Sequence, residues 1–241
     1  MFKRSQVIIT GSSRGLGKAL AEAFLHEGAK VIGLSRSKTI DHKHYKHLKA
    51  DLSNTDQVKS IDLPIEEGLD AYVLINNAGT LGEVKSFHNL DEQDMIDTTK
   101  LNFLAPALLT KKFQKSISNE KGRKYVINIG SGAAYNALDG WSMYCSTKAA
   151  LSMFSRVAAL ECKVQKLDLK VVDLSPGVID TEMQSKIRKA KPSEFTEVER
   201  FRQYHQNGEL QSASQTADLI IRNFDQLFKN KEGIESLRNY K

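Results

Sequence analysis

Cysteine is scarce: Cys145 and Cys162 are the only two in 241 residues. On one helix they would lie roughly 25 Å apart, far beyond disulfide reach, so two free thiols and a reducing compartment are expected. Tryptophan occurs once and proline four times. No Pro/Gly-rich linker, internal repeat or low-complexity tract breaks the chain, so one domain over residues 1–241 is expected, a length that suits a large α/β unit. No run approaches the roughly 18 apolar residues that cross a bilayer, and mean hydropathy is −0.40. The first apolar run (Val7, Ile8, Ile9) is too short for a signal peptide, and the terminal RNYK carries no lipidation or retention signal. The expectation is a soluble, cytoplasmic chain with no membrane partner.

Charge is not concentrated either. The formal net charge is +6 and the isoelectric point about 9.1, but no Lys/Arg tract forms, so no nucleic-acid partner is expected. A scattered basic surface still attracts small phosphorylated ligands. His42, His44 and His47 fall close together in DHKHYKH. No carboxylate or cysteine stands at zinc-site spacing from them, so a solvated loop and no metal are expected.

What is present is an alternation. Short apolar runs rich in Val and Ile occupy residues 6–10, 30–34, 48–50, 71–75, 124–129, 169–174 and, weakly, 233–237. Helical patterns fill residues 16–27 (closed by Gly28), a long region from Leu90, residues 141–163 and residues 214–228. Strands that do not alternate apolar with polar are covered on both faces. Strand–helix alternation predicts an α/β fold of the Rossmann type: a doubly wound parallel sheet of about seven strands with helices on both faces. Such sheets bind ligands beyond the carboxyl ends of their strands, where strand order reverses.

The unusual residues stand at those ends. After strand 1 comes TGSSRGLG, with Gly11, Gly15 and Gly17 at a strand-to-helix turn and Ser12, Ser13, Arg14 and Leu16 between them. Such a turn lets backbone approach a pyrophosphate and aims the helix N–H groups at it. After strand 2 comes Arg36-Ser37, where an NAD site places an acid for the ribose 2′-hydroxyl. A guanidinium there, with Arg14 nearby, favours a 2′-phosphate, so the expected cofactor is NADP(H). Asp51, with Leu52 beside it, is placed to accept from the adenine amino group, although Asp51 or Ser53 could equally cap a helix. After strand 5 comes Ser131, thirteen residues before Tyr144, and Lys148 follows one helical turn later. The i, i+4 spacing sets phenol and ammonium on one face. A nearby cation favours phenolate and lowers a pKa ordinarily near 10, which makes Tyr144 a usable acid/base. Ser131 can polarise a carbonyl, and Lys148 can also donate to a ribose.

Taken in order, TGSSRGLG, NNAG (ending Asn77, Ala78, Gly79), Asn102, Ser131, YCSTK and SPGVIDTEM resemble the short-chain dehydrogenase/reductase family in its single-domain type. The resemblance implies nicotinamide-dependent hydride transfer, with Tyr144 as acid/base, Lys148 lowering its pKa and holding the ribose, and Ser131 orienting a carbonyl. It further implies that Asn102 holds a relay water and that Asn77, Ala78 and Gly79 line the adenosine half. Pro176, Gly177, Val178, Ile179, Thr181 and Met183 then contact the nicotinamide carboxamide. A homodimer or homotetramer, built through the Tyr144 helix and its neighbour, is likewise implied. Within the family, GWSMYCSTKAAL followed by PGVIDTEMQ resembles the sepiapterin and benzil reductase subgroup, which reduces ketones or vicinal diketones with NADPH. From Gly233 to Lys241 Glu235 is the only acid, which favours a compact diketone over a pterin. The alternative is a non-catalytic NADP(H)-binding redox sensor, whose signature would be loss of Tyr144 or Lys148.

Two further segments bear on the substrate. Residues 180–210 are charged and carry Phe195, Phe201 and Tyr204 at helical spacing, as expected of an insertion that covers the substrate. Trp141, three residues before Tyr144, is expected to line the substrate pocket with Ser131 and Tyr144.

Overall fold

The computed structural model describes residues 2–230 and 232–240. Its strands are β1 (Ser5–Thr10), β2 (Lys30–Ser35), β3 (Tyr45–Lys49), β4 (Ala71–Asn76), β5 (Arg123–Ile129), β6 (Lys170–Ser175) and β7 (Ile234–Ser236). Its helices are α1 (Gly15–His26), α2 (Thr55–Ser60), α3 (Glu92–Thr99), α4 (Ala105–Ser116), α5 (Ser142–Val164), α6 (Glu182–Arg188), α7 (Val198–Gln206) and α8 (Ala213–Arg222). The strands form one sheet in the order β3-β2-β1-β4-β5-β6-β7, with every pair parallel. The chain walks outward from β1 to β3, then returns to the other side of β1 at β4. That reversal leaves the cleft at the carboxyl ends of β1 and β4 free of crossover helices.

Both sheet faces are buried, as the unbroken apolar strands require. Val7, Ile9, Val73, Ile75 and Ile127 point to one face, where Leu20 and Phe24 of α1 and Ala217 and Ile220 of α8 cover them. Ile8, Leu74 and Val126 point to the other, against Leu109 and Phe113 of α4 and Cys162 of α5. A third apolar cluster stands apart at the carboxyl edge and joins Trp141 and Tyr144 to Ile187, Phe195, Val198 and Phe201.

Local chemistry sets the element ends. Gly28 has φ +85°, its N–H bonds the Leu25 carbonyl, and the Ala29 N–H bonds that of Phe24. This left-handed glycine closes α1 by satisfying carbonyls the helix leaves free. Strand 3 begins at Tyr45 rather than Leu48, so His47 lies on a strand and contacts Ser35 rather than sitting in a solvated loop. The cap of α2 is Asn54, which accepts from the N–H groups of Asp56 and Gln57, and not Asp51 or Ser53. The long helical region after Leu90 is broken: Asp91 caps α3, and a wider π turn, Lys100–Leu104, separates α3 from α4. Helix α8 stops at Arg222 instead of running to Phe228, because the Asn223 side chain turns back to donate to the Leu219 carbonyl. Cys145 and Cys162 both lie on α5 as free thiols. No described helix is long and apolar enough to cross a membrane.

Candidate active site

The glycine turn is built by close approach. A Cβ on Gly17 would stand 2.3 Å from the Gly11 carbonyl oxygen and 2.4 Å from Asn77 Nδ2, so only glycine lets α1 pack against this loop. Gly11 and Gly15 both have positive φ. The Thr10 hydroxyl accepts from the N–H groups of Asn77 and Ala78, and Asn77 Nδ2 donates to the Thr10 carbonyl, which ties the ends of β1 and β4 together. Helix α1 has neither an acidic residue in its first turn nor a side-chain cap. Its first N–H groups are therefore left for an external anion.

A cavity of about 1580 Å³ begins at this turn, larger than the roughly 300–1,000 Å³ of a single-ligand pocket. Its volume admits a dinucleotide and a small second molecule together. Of the residues assigned to a cofactor, Gly11, Ser13, Arg14, Gly15, Leu16, Arg36, Asp51, Leu52, Asn77, Ala78, Gly79, Tyr144, Lys148, Pro176, Gly177, Val178, Ile179, Thr181 and Met183 line it, as do Ser131 and Trp141. Ser12, Gly17, Ser37 and Asn102 do not form part of its wall. Ser12 is buried and shares a hydrogen bond with the Tyr45 hydroxyl at 3.0 Å, which holds the loop from below.

At the Arg36 end of the cavity the polar groups are largely committed. Asp51 accepts from the Ser53 N–H and hydroxyl, and these bonds, with Arg36 beside it, hold its carboxyl below the usual range against the effect of burial. Arg14 pairs with Glu182 at the start of α6, across the cavity mouth. Both side chains are exposed, and such surface pairs are weak, so the guanidinium remains available to a phosphate.

At the other end, Ser131 caps a short turn by accepting from the Ala133 N–H, and α5 presents Tyr144 and Lys148 beside it. Both residues are buried. Burial pushes the Tyr144 phenol above its ordinary range, with a Ser131 hydrogen bond opposing. The expectation that Lys148 lowers this phenol is thus not met in the chain by itself. The ammonium stands 5.8 Å from the Tyr144 ring centre and donates instead to the Ile129 carbonyl at 2.8 Å. Burial lowers Lys148 to about 8, with Asp173 acting the other way. A Cβ on Gly79 would stand 3.8 Å from Lys148 Nζ, so the glycine leaves room over the ammonium.

Asn102 lies in the π turn, where the ordinary helix ladder is interrupted. Its amide accepts from the Thr80 N–H and donates to the Thr80 carbonyl and the Thr147 hydroxyl. The side chain thus clamps the β4 loop to α5. Trp141 stacks on Phe195 at 4.8 Å and 14° and meets Tyr144 edge-on at 5.5 Å. It is both core and cavity wall.

Residues 180–210 form α6, α7 and their connections. They leave and return at one place: the Asp180 N–H bonds the Gln211 carbonyl, and the Gln211 N–H bonds that of Val178. Lys186 donates to the Gly82 carbonyl at 2.5 Å, and Thr196 donates twice to Asp139. These bonds fix the excursion over the Tyr144 end of the cavity.

Sequence reasoning missed a polar row beneath this site. Asn76, Asn128 and Asp173 are in register across β4, β5 and β6. Asn76 donates to Thr110 and Asn128, and Asn128 donates to Ser155. The available signal was a single acid inside the apolar run VVDLS.

A family model described as short chain dehydrogenase matches residues 5–192. The chain belongs to the short-chain dehydrogenase family. Two curated members resemble it over most of their length. The benzil reductase ((S)-benzoin forming) of Bacillus subtilis is 39% identical over 223 residues, covering 89% of this chain and 90% of that one. The sepiapterin reductase of Rattus norvegicus is 33% identical over 204 residues, covering 75% and 76%. A solved short-chain dehydrogenase/reductase from Saccharomyces cerevisiae has the same fold, with a TM-score of 0.81 and 22% identity, covering 98% and 99%. This short-chain dehydrogenase is therefore an oxidoreductase of a family that acts on carbonyl and hydroxyl groups with a nicotinamide cofactor. The glycine cradle, the open α1 terminus and the cavity volume all fit such a cofactor.

Proposed function

We propose that the protein is an NADPH-dependent carbonyl reductase that converts a ketone, or one carbonyl of a vicinal diketone, to an alcohol. The observation that carries this reading is one continuous cavity with the glycine turn and Arg36 at one end and Ser131, Tyr144 and Lys148 at the other. When bound, NADPH supplies the hydride that adds to the carbonyl carbon. Ser131 donates to the carbonyl oxygen and fixes its place. Tyr144 delivers its phenolic proton to that oxygen as the hydride arrives, so carbon and oxygen each gain one hydrogen. A phenol raised by burial stays protonated at neutral pH, the form that a reduction requires. Lys148 has ammonium hydrogens beyond the one given to Ile129 and offers them to the ribose.

Arg36 on the cavity wall, with no acid in the Ser35-Arg36-Ser37 turn that ends β2, supports NADPH over NADH. An aromatic wall of Trp141, Phe201 and Tyr204 supports a flat or aromatic substrate, in keeping with the substrates named for the two relatives. The test is a panel of benzil-type diketones, pterins, quinones and simple ketones, followed by loss of NADPH absorbance. Turnover of diketones with NADPH well above NADH is expected; no oxidation with any compound would overturn the reading.

The same reading includes a homo-oligomer. Met153, Val157, Leu160 and Val164 are exposed along α5 at helical spacing, a stripe that a second copy related by a two-fold axis would cover.

A further inference from the structure

Asp173 is the least expected residue of the sheet. It exposes none of its surface, and its neighbours along β6 are Val171, Val172 and Leu174. An apolar side chain would satisfy this position, whereas a buried carboxylate loses its hydration and must be compensated. Compensation from hydrogen bonds is partial. Asp173 Oδ2 accepts from the Tyr135 hydroxyl at a long 3.4 Å, and Oδ1 has no hydrogen-bond partner. The Tyr135 hydroxyl is itself shared with Ser152 at 2.6 Å. Ser152 stands one turn beyond Lys148 on α5, so the Tyr135 hydroxyl links it to the carboxylate.

The carboxylate lies directly under the catalytic loop. A Cβ on Gly130 would stand 2.2 Å from Asp173 Oδ1. Gly130 joins Ile129, whose carbonyl holds Lys148, to Ser131. Lys148 and Asp173 form no direct ion pair, yet each acts on the other's charge. Other titratable groups nearby are Tyr144 and Cys145 on α5 and Tyr135 after β5, with Arg156 of α5 acting on Tyr135. The strand neighbours of Asp173 are Asn128 on β5 and Ile234 on β7, and neither titrates.

We propose that Asp173 is a positioning residue for Lys148: its sealed carboxylate keeps the ammonium charged and seated on the Ile129 carbonyl beneath the cofactor ribose. The proposal deepens the reductase reading and rests on it. Asp173 touches neither cofactor nor substrate; it acts through the lysine. Local cost at one buried position, with no gain in packing, is the pattern expected where function overrides stability.

The test is the pH dependence of NADPH binding, followed by cofactor fluorescence, in the parent protein, Asp173→Asn and Ser152→Ala. Asparagine keeps the shape and removes the charge. The parent is expected to bind NADPH and to weaken on the alkaline side as Lys148 loses its proton. In Asp173→Asn that weakening should begin about one pH unit lower, the usual effect of an opposite charge nearby. Ser152→Ala leaves the carboxylate but removes the hydroxyl that holds Tyr135 beside it, so a smaller shift in the same direction is expected, and it serves if Asp173→Asn does not fold. Equal pH profiles in parent and folded variants, even with weaker binding throughout, would overturn the proposal and leave the reductase reading standing. A parent that binds neither NADPH nor NADH would instead overturn that reading, and this proposal with it.

Discussion

Lys148 donates from its ammonium to the carbonyl oxygen of Ile129 at 2.8 Å. The bond ties α5 to the end of β5, one residue before the loop that carries Ser131, so the lysine and serine are positioned by the same strand end. It also fixes a cation in the core, and that has a consequence for stability. Burial lowers Lys148 from 10.5 to about 8. Below about pH 8 the lysine is charged in both folded and unfolded chains, and the folded chain bears the whole penalty of burying it. Between about 8 and 10.5 the unfolded chain binds more protons, so stability rises with pH until the penalty is gone. Relative to Lys148→Met, the parent should gain on the order of 3 kcal/mol across that window. Urea unfolding at several pH values reads this, and a constant difference between the two proteins would contradict it.

Tyr144→Phe removes the proposed proton donor while keeping the ring against Trp141. Turnover should fall by about 10² to 10⁴-fold, with NADPH affinity changed by no more than a few-fold. Retained turnover would take Tyr144 out of the acid role.

Arg36→Ala should weaken NADPH by roughly 10-fold or more, the scale of a lost hydrogen bond to a charged group, and leave NADH nearly unaffected. Parallel titrations with the two dinucleotides decide it. Equal weakening would mean that Arg36 does not meet the 2′-phosphate.

Leu160 is 60% exposed and Val157 44% exposed on α5. Introducing Val157→Asp and Leu160→Asp together should convert an oligomer to a monomer in sedimentation or light scattering, because two buried, unpaired charges oppose the contact. An unchanged molecular mass in the double variant would move the interface elsewhere.

Most of the sheet was legible because its strands are buried on both faces: Val7 to Ile9, Val73 to Ile75 and Tyr125 to Ile127 have no polar interruption to blur them. Where elements ended was less legible. Asn54 and Asn223 make their caps with side chains whose choice depends on neighbouring backbone, and the break at Asn102 comes from tertiary bonds to Thr80 and Thr147. Motif spacing located Ser131, Tyr144 and Lys148, since a helix turns i, i+4 into adjacency. It could not foresee that burial outweighs the Ser131 hydrogen bond at Tyr144, because desolvation depends on Phe195 and Phe201, which arrive from residues far along the chain. Asp173 escaped notice for a related reason: its meaning lies in the strand and helix beside it, not in residues adjacent to it.

The hydrogen bonds that join Val178 and Asp180 to Gln211 bring both ends of the 180–210 excursion to one place on the sheet edge. A detour that starts and finishes at one spot is topologically separate from the strands it leaves, and closure entropy changes only slowly with its length. Its outer loops can therefore lengthen at little entropic cost, whereas Phe195, Val198 and Phe201, packed with Trp141 and Tyr144, bind its inner face to the floor of the cavity.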